Sequence, residues 1–136
     1  MIAAQDIESY LIQMGVPYED IGENTWMIHD EYEMVDNLVV KLLDPVVVFH
    51  VKLMDIPDDC DRLALYEELL TLNCTEMIHG AYGISNRSVV ATDTLQAENL
   101  DFNEFQASVD SLSLCISDHY QRLAKYHRRP VERAAG

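Results

Sequence analysis

Residue types that support acid–base, nucleophilic and metal chemistry occur throughout the sequence, but their spacing follows none of the common catalytic patterns. The histidines show neither HxxxH nor HExxH spacing. A metal centre needs three or four donors that converge in space, and an isolated histidine in each segment gives no sign of that. We therefore expect no metal site, and structural or surface roles for His29, His50, His79, His119 and His127.

Four aspartates are clustered near the middle of the chain, and such a density of carboxylates is also found in calcium-binding loops. The cluster lacks the central glycine and the distal bidentate glutamate of an EF-hand loop. Helix capping explains it more simply, because Asp58 or Asp59 can accept a hydrogen bond from the first turn of a following helix. We expect the cluster to begin a helix; its members are Asp55, Asp58, Asp59 and Asp61.

The three cysteines, Cys60, Cys74 and Cys115, are widely spaced and include no CxxC pair. An odd number of such cysteines favours free thiols in a reducing compartment. A catalytic cysteine needs a low-pKa thiolate beside a histidine, and Cys74, five residues before His79, is a weak candidate. An enzyme or metal protein that uses Cys74, His79 or the aspartate cluster is the weaker alternative. We expect no catalytic residue and no cofactor.

The charge of the sequence is strongly negative, at −15. Residues 1–100 contain 19 acids and four bases, whereas residues 101–136 contain five of each. A field of this sign repels phosphate, which argues against nucleic acid and anionic membrane surfaces as partners. The phosphate-binding patterns GxGxxG and GxxxxGK do not occur either. Two interpretations stay open: the charge keeps the protein in solution, or it steers the protein toward a basic segment of a partner.

Length and composition fit one globular domain. The chain has 136 residues, of which 49% are hydrophobic. We expect a single domain over residues 1–126 and a loose basic tail over residues 127–136. Asp6 and Glu8 fall where a signal peptide would be apolar, and the longest plain apolar run, Val46 to Phe49, is far shorter than the ~20 residues of a membrane span. We therefore expect a cytoplasmic protein.

Hydrophobic spacing predicts three helices. Ile7, Tyr10, Leu11 and Met14 fall at i, i+3, i+4 and i+7, and Gly15 ends this first helix. The central helix, from the aspartate cluster to Asn73, is apolar nearly all round, as is typical of a helix buried by the sheet and by a second subunit. The third helix, over residues 101–126, has apolar residues at steps of three or four.

Five strands are predicted around these helices, at residues 25–29, 38–43, 46–54, 77–84 and 88–92. The strand over residues 46–54 alternates between a fully apolar face and a mixed face, as expected of an antiparallel sheet with one wet side. The element order is α-β-β-β-α-β-β-α. This order predicts an α+β two-layer sandwich, in which helices cover one face of an antiparallel sheet.

The central helix and the hairpin after it resemble a pattern found in two related families. The pattern consists of Leu65-Tyr66-Glu67-Glu68-Leu69-Leu70-Thr71-Leu72-Asn73, Gly80-Ala81-Tyr82-Gly83-Ile84 and Val89-Val90. One family is the type III secretion chaperones of the CesT/Tir type. The other is the YbjN family, described as candidate sensory transduction regulators. The resemblance covers about residues 2–126, and both families share the predicted element order.

The resemblance implies a non-enzymatic module that holds an extended apolar segment of a partner protein, and a YbjN-like bacterial regulatory protein is the alternative. It also implies a homodimer formed by the central helix and the strand after it. The interface candidates are Leu69, Leu72, Ile78 and Tyr82. The partner-binding candidates are Tyr10, Met14, Trp26 and Ile28. All eight side chains are equally consistent with a plain core.

Overall fold

The computed structural model describes residues 3–29 and 36–127, and within these ranges it contains three helices and one antiparallel sheet. The helices are α1 (Ala4–Met14), α2 (Arg62–Thr75) and α3 (Phe102–His127). The strands are β1 (Tyr18–Gly22), β2 (Thr25–His29), β3 (Asp36–Leu43), β4 (Val46–Asp55), β5 (Ala81–Ser85) and β6 (Ser88–Gln96). They lie in the order β1-β2-β3-β4-β6-β5. The predicted α+β class is confirmed, and the basic tail after His127 lies outside the described residues.

Strand β1 is absent from the sequence-based prediction, so the sheet has one strand more than expected. Its sequence, Tyr-Glu-Asp-Ile-Gly, shows no apolar alternation, and four of its five side chains are exposed. The strand forms because a two-residue turn, Glu23-Asn24, folds it back onto β2. Both turn residues have positive φ, as a tight hairpin turn requires. Pairing with a neighbour, rather than its own apolar pattern, therefore makes this segment a strand.

One face of the sheet is covered by all three helices. The inward side chains of β4 are Val47, Phe49 and Val51, which have at most 1% of their surface exposed. They pack in one core cluster with residues from every helix. The helical members of this cluster are Ile7 and Leu11 of α1, Leu65, Leu69 and Leu72 of α2, and Phe105, Val109, Leu112, Ile116 and Leu123 of α3.

The residue that caps α2 is Asp61, which corrects the predicted cap at Asp58 or Asp59. The Asp61 carboxylate accepts a hydrogen bond from the backbone N–H of Ala64, at 3.1 Å. Asp58 instead pairs with Arg87 and lies 3.9 Å from Arg62. The aspartate cluster does begin the helix, but its last member performs the capping.

The hairpin of β5 and β6 begins later than predicted, because residues 77–80 form a loop between α2 and β5. Gly80 ends this loop with φ +80°, and an added Cβ would lie 2.3 Å from the carbonyl oxygen of Thr92. The loop therefore passes directly over β6 at a point where only glycine fits.

We predict that Gly80→Ala destabilises the protein by about 2 kcal/mol or more, because alanine meets both a backbone clash and an unfavourable φ. Gly83→Ala is the matched control, since nothing lies within 4 Å of an added Cβ there. Urea unfolding of both variants measures the difference. Equal stabilities for the two variants would contradict the close approach of the loop to β6.

Candidate functional site

Helix α2 is apolar on two opposite faces. Leu65, Leu69 and Leu72 point into the core. On the opposite side, Leu63 and Leu70 are exposed large apolar residues and line a shallow groove together with Cys74. At 100° per residue, positions 63, 67, 70 and 74 fall on one stripe of the helix surface. We call these four residues the outer stripe of α2; they are Leu63, Glu67, Leu70 and Cys74.

The predicted interface residues divide into buried and exposed side chains. Leu69, Leu72 and Tyr82 are buried in the core of the single chain. Ile78 is exposed and lies in the loop between α2 and β5. The interface role of all four stays a prediction, and the accessible apolar surface of α2 belongs instead to Leu63 and Leu70. Sequence reasoning missed these two leucines, although the apolar character all round the helix was the signal that indicated them.

The predicted partner-binding residues are also largely internal. Trp26 and Ile28 are buried on the covered face of the sheet, so neither offers a surface to a partner in this conformation. Tyr10 and Met14 are partly buried against the core. The Tyr10 hydroxyl donates to the carbonyl oxygen of Leu100 at 3.0 Å, which ties α1 to the segment before α3. The exposed large apolar residue of α1 is Ile12.

A chain of polar side chains connects β5, α3 and α2. The Tyr82 hydroxyl lies 2.7 Å from His119 Nδ1, and His119 Nε2 lies 2.9 Å from Glu76 Oε1. Because a carboxylate only accepts hydrogen bonds, Nε2 carries a proton, and in the neutral ring Nδ1 accepts from Tyr82. His119 is buried, and a buried polar group needs hydrogen-bond partners. These two hydrogen bonds supply one for each of its ring nitrogens.

Two cations of α3 extend this chain along α2. Arg122 donates to Glu76 Oε2 at 3.2 Å and to Glu68 Oε2 at 3.0 Å. Lys125 lies 3.2 Å from Glu68 Oε1, and the Tyr126 hydroxyl donates to the same oxygen at 2.7 Å. We call this set the α2–α3 latch; it consists of Glu68, Glu76, Tyr82, His119, Arg122, Lys125 and Tyr126.

The pKa values of the two carboxyl groups of the latch are lowered, whereas the pKa of Tyr82 is raised. The hydrogen bond from His119 holds the pKa of Glu76 below its usual range. Burial raises the pKa of Glu68, but hydrogen bonds from Tyr126, Lys125 and Arg122 outweigh it, so the net pKa is lowered. Burial raises the pKa of Tyr82 far above its ordinary value, so its hydroxyl stays protonated. The arrangement binds the two helices together.

The structure does not bring together Cys74 and His79, which the weaker alternative, an enzyme or a metal protein, would use. Cys74 lies in the groove of the outer stripe, whereas His79 lines a different groove against α3. Among the residues that the structure describes, no group of three or more histidine, cysteine, aspartate or glutamate side chains could hold a metal ion. The three cysteines are free thiols.

The second face of the sheet has no helix over it within the described ranges. Register places Met27, Val39 and Val48 on this face, and all three are partly exposed. The sheet ends at β1 on one side and at β5 on the other. Within the same ranges, no helix is long and apolar enough to cross a membrane.

We predict that acid weakens the latch. A carboxylate whose folded pKa is lowered stabilises the fold above its unfolded pKa, about 4.3 for glutamate, and this contribution is lost as the pH falls through the folded value. Glu68→Gln should therefore reduce the loss of stability between about pH 6 and about pH 3. Urea unfolding across this range measures the loss, with Glu98→Gln, an exposed glutamate outside the latch, as the control. Identical pH profiles for both variants would show that the Glu68 contacts contribute nothing.

The family model CesT_Tir_1 matches residues 2–129 of the chain. No curated protein sequence matches it. Among solved structures, a chain of the ExsC–ExsE complex superposes with a TM-score of 0.68 at 16% identity, covering 90% of this chain and 97% of that chain. YbjN from E. coli superposes with a TM-score of 0.67 at 13% identity, covering 89% and 93%.

A third solved structure is the ExoU–SpcU complex of the Pseudomonas aeruginosa type III secretion system. One of its chains superposes with a TM-score of 0.63 at 18% identity, covering 88% of this chain and 96% of that chain. Identities this low show a shared fold, whereas the family model spans nearly the whole sequence. The resemblance seen in the sequence is confirmed: the chain belongs to the CesT_Tir_1 family and has the fold of type III secretion chaperone-like proteins.

Proposed function

We propose that the protein is a non-enzymatic, homodimeric binding module that holds an extended apolar segment of a partner protein. The observation that carries the proposal is the double-sided apolar character of α2. Its inner face fills the core, and its outer stripe leaves Leu63 and Leu70 exposed on the single chain. Solvent-exposed leucines on the same stripe of a helix favour burial by another surface.

A second copy of the chain fits this surface. Two α2 helices packed about a two-fold axis would bury the outer stripe of each against the other, so that one surface serves both partners. A helix of 14 residues is only ~21 Å long, whereas stable interfaces bury ~800 Å² on each partner. Strand β5 lies at the neighbouring edge of the sheet and contacts α2, so it is suited to supply the remaining area.

The proposed site for the partner segment is the opposite edge of the sheet. Strand β1 pairs with β2 alone among the described strands, and its side chains are largely exposed. An extended segment can add to such an edge through backbone hydrogen bonds, with alternate side chains supplying specificity. This edge is separated from α2 by the width of the sheet, so partner binding and dimer formation do not compete.

The chaperone-like function is supported by the solved complexes that share the fold, ExsC–ExsE, ExoU–SpcU and HopA1–SchA. The last of these is described as a chaperone–effector complex. The alternative is a regulatory protein similar to YbjN, a candidate transcription regulator whose structure superposes equally well. In both proposals the protein acts on another protein, and only the chaperone-like one requires that the partner be held as an extended segment.

We predict that Leu70→Asp converts the dimer into a folded monomer, because it places two unpaired charges within the proposed interface. Ile12→Asp is a closely matched control, since Ile12 is 66% exposed and Leu70 is 69% exposed. Light scattering after size-exclusion chromatography gives the mass, and circular dichroism verifies the fold. A Leu70→Asp variant that remains dimeric, or a wild-type chain that is monomeric at micromolar concentration, would disprove this interface.

We also predict that a partner captured from the native cell protects β1 from hydrogen exchange. The outward amides of an edge strand exchange rapidly in the free protein and become hydrogen-bonded when a strand is added. Hydrogen-exchange mass spectrometry of the complex and the free protein measures the difference at residues 18–22. Limited proteolysis of the complex should leave a short fragment of the partner, whereas an intact folded partner would favour the YbjN-like alternative. Unchanged exchange at β1 would reject the edge as the binding site.

A further inference from the structure

A second groove lies beyond the C-terminal end of α2, between α3 and the loop that joins α2 to β5. It encloses about 550 Å³. Ile78 on the loop and Leu114 on α3 line it, and they are 84% and 65% exposed. Large apolar side chains that remain this exposed on both walls of one groove are typical of a docking surface rather than of a solvated face.

Two carboxylates bracket the apolar centre of this groove. Asp110 lies one helical turn before Leu114 and Asp118 one turn after it, and both line the groove.

The cations at the end of α3 are engaged elsewhere, because Arg122 and Lys125 form their ion pairs with Glu68 and Glu76. Partial burial raises the pKa of Asp110, with no cation opposing the effect. Within the described ranges, the ion pairs of lysine and arginine leave Asp110 and Asp118 without a partner.

The spacing of these three side chains fits an extended ligand. Residues four apart on a helix are separated by ~6 Å along its axis. Alternate residues of an extended strand point to the same side and are separated by ~6.6 Å. A strand laid along α3 can therefore place three consecutive same-side residues against Asp110, Leu114 and Asp118.

We propose that this groove binds an extended segment of a partner protein with the pattern basic–x–apolar–x–basic. The apolar side chain lies between Ile78 and Leu114, and the two basic side chains pair with Asp110 and Asp118. The net charge of −15 favours approach of such a segment. The proposal rests on the proposed function for the existence of a protein partner, and it adds a second contact site with its own chemistry.

A second copy of the chain is a poor occupant of the same groove. A two-fold contact would bring each groove against its own equivalent, which sets Asp110 and Asp118 of one copy against the same carboxylates of the other. Like charges at close range oppose such a contact. The outer stripe of α2 has less of this difficulty, because it carries one acid, Glu67, where the groove carries Asp110 and Asp118.

The test uses the full chain and two labelled synthetic peptides, one containing Lys-Ser-Leu-Ser-Lys and the other Glu-Ser-Leu-Ser-Glu. Fluorescence anisotropy should show binding of the lysine peptide alone, with an affinity that falls as salt is added. Leu114→Ser should weaken binding about tenfold or more, since it removes the apolar contact. Asp110→Asn combined with Asp118→Asn should weaken it about threefold or more and flatten the salt dependence.

Matched controls separate the groove from the overall charge. Ile12→Ser removes an equally exposed apolar side chain, and Glu8→Gln combined with Glu98→Gln removes two charges elsewhere; both should stay within about twofold of the wild type. Absence of lysine-peptide binding at millimolar concentration, equal binding of both peptides, or equal effects of groove and control variants would overturn the proposal. So would a change in mass of the Leu114→Ser variant by light scattering, which would identify the groove as a contact between copies.

These outcomes are independent of those that test the proposed function. A Leu70→Asp variant that stays dimeric, or unchanged exchange at β1, counts against the dimer or the strand site and leaves the peptide result intact. Conversely, the groove variants could bind the peptide normally while the captured partner still protects β1. That pair of results would reject the groove and leave the proposed function standing.

Discussion

The inward side chains of β4, namely Val47, Phe49 and Val51, set the register of the strands beside them. β3 places Leu42 and Val40 opposite Val47 and Phe49, and β6 places Leu95 and Ala91 opposite Val47 and Val51. A slip of one residue would turn each apolar set toward the uncovered face. The same face of the sheet positions the helices, since α1, α2 and α3 all contribute side chains to the core on this side. Burial of a single face therefore determines what remains outside: the second face of the sheet, its two edges and the outer stripe of α2.

The distribution of charge along α3 follows from the ion pairs that join this helix to Glu68 and Glu76. Arg122 and Lys125 neutralise Glu68 and Glu76, and His119 completes the connection to β5. The cations of α3 that the structure describes lie in its last turns, and they form ion pairs with Glu68 and Glu76 rather than with Asp110 or Asp118 of the earlier turns. The α2–α3 latch and the acidic groove are therefore two results of one asymmetry, the separation of bases from acids along α3. The sequence showed only the net effect of this separation, a final segment without net charge.

Much of the fold could be predicted from the sequence, because apolar periodicity reports burial directly. The bounds of β2 agree with prediction to the residue, and the three helices were all expected. β1 was missed because an exposed edge strand has no alternation to detect and depends on its partner for existence. The candidate sites were harder, since a leucine pattern cannot distinguish the inner from the outer face of a helix. Only the position of the sheet relative to α2 shows that Leu69 faces inward and Leu70 outward.

The surfaces left over by folding support the proposal that this architecture serves protein binding. The outer stripe of α2 carries one acid, Glu67, among its four residues, whereas the groove beside Leu114 carries Asp110 and Asp118. In the proposed complex, the backbone groups of β1 pair with an extended chain, and the groove adds a requirement for basic and apolar side chains in alternation. A partner that engaged both would bind through the edge for affinity and through the groove for selectivity. The outer stripe of α2, the surface proposed for a second copy, shares none of its four residues with the groove or with β1.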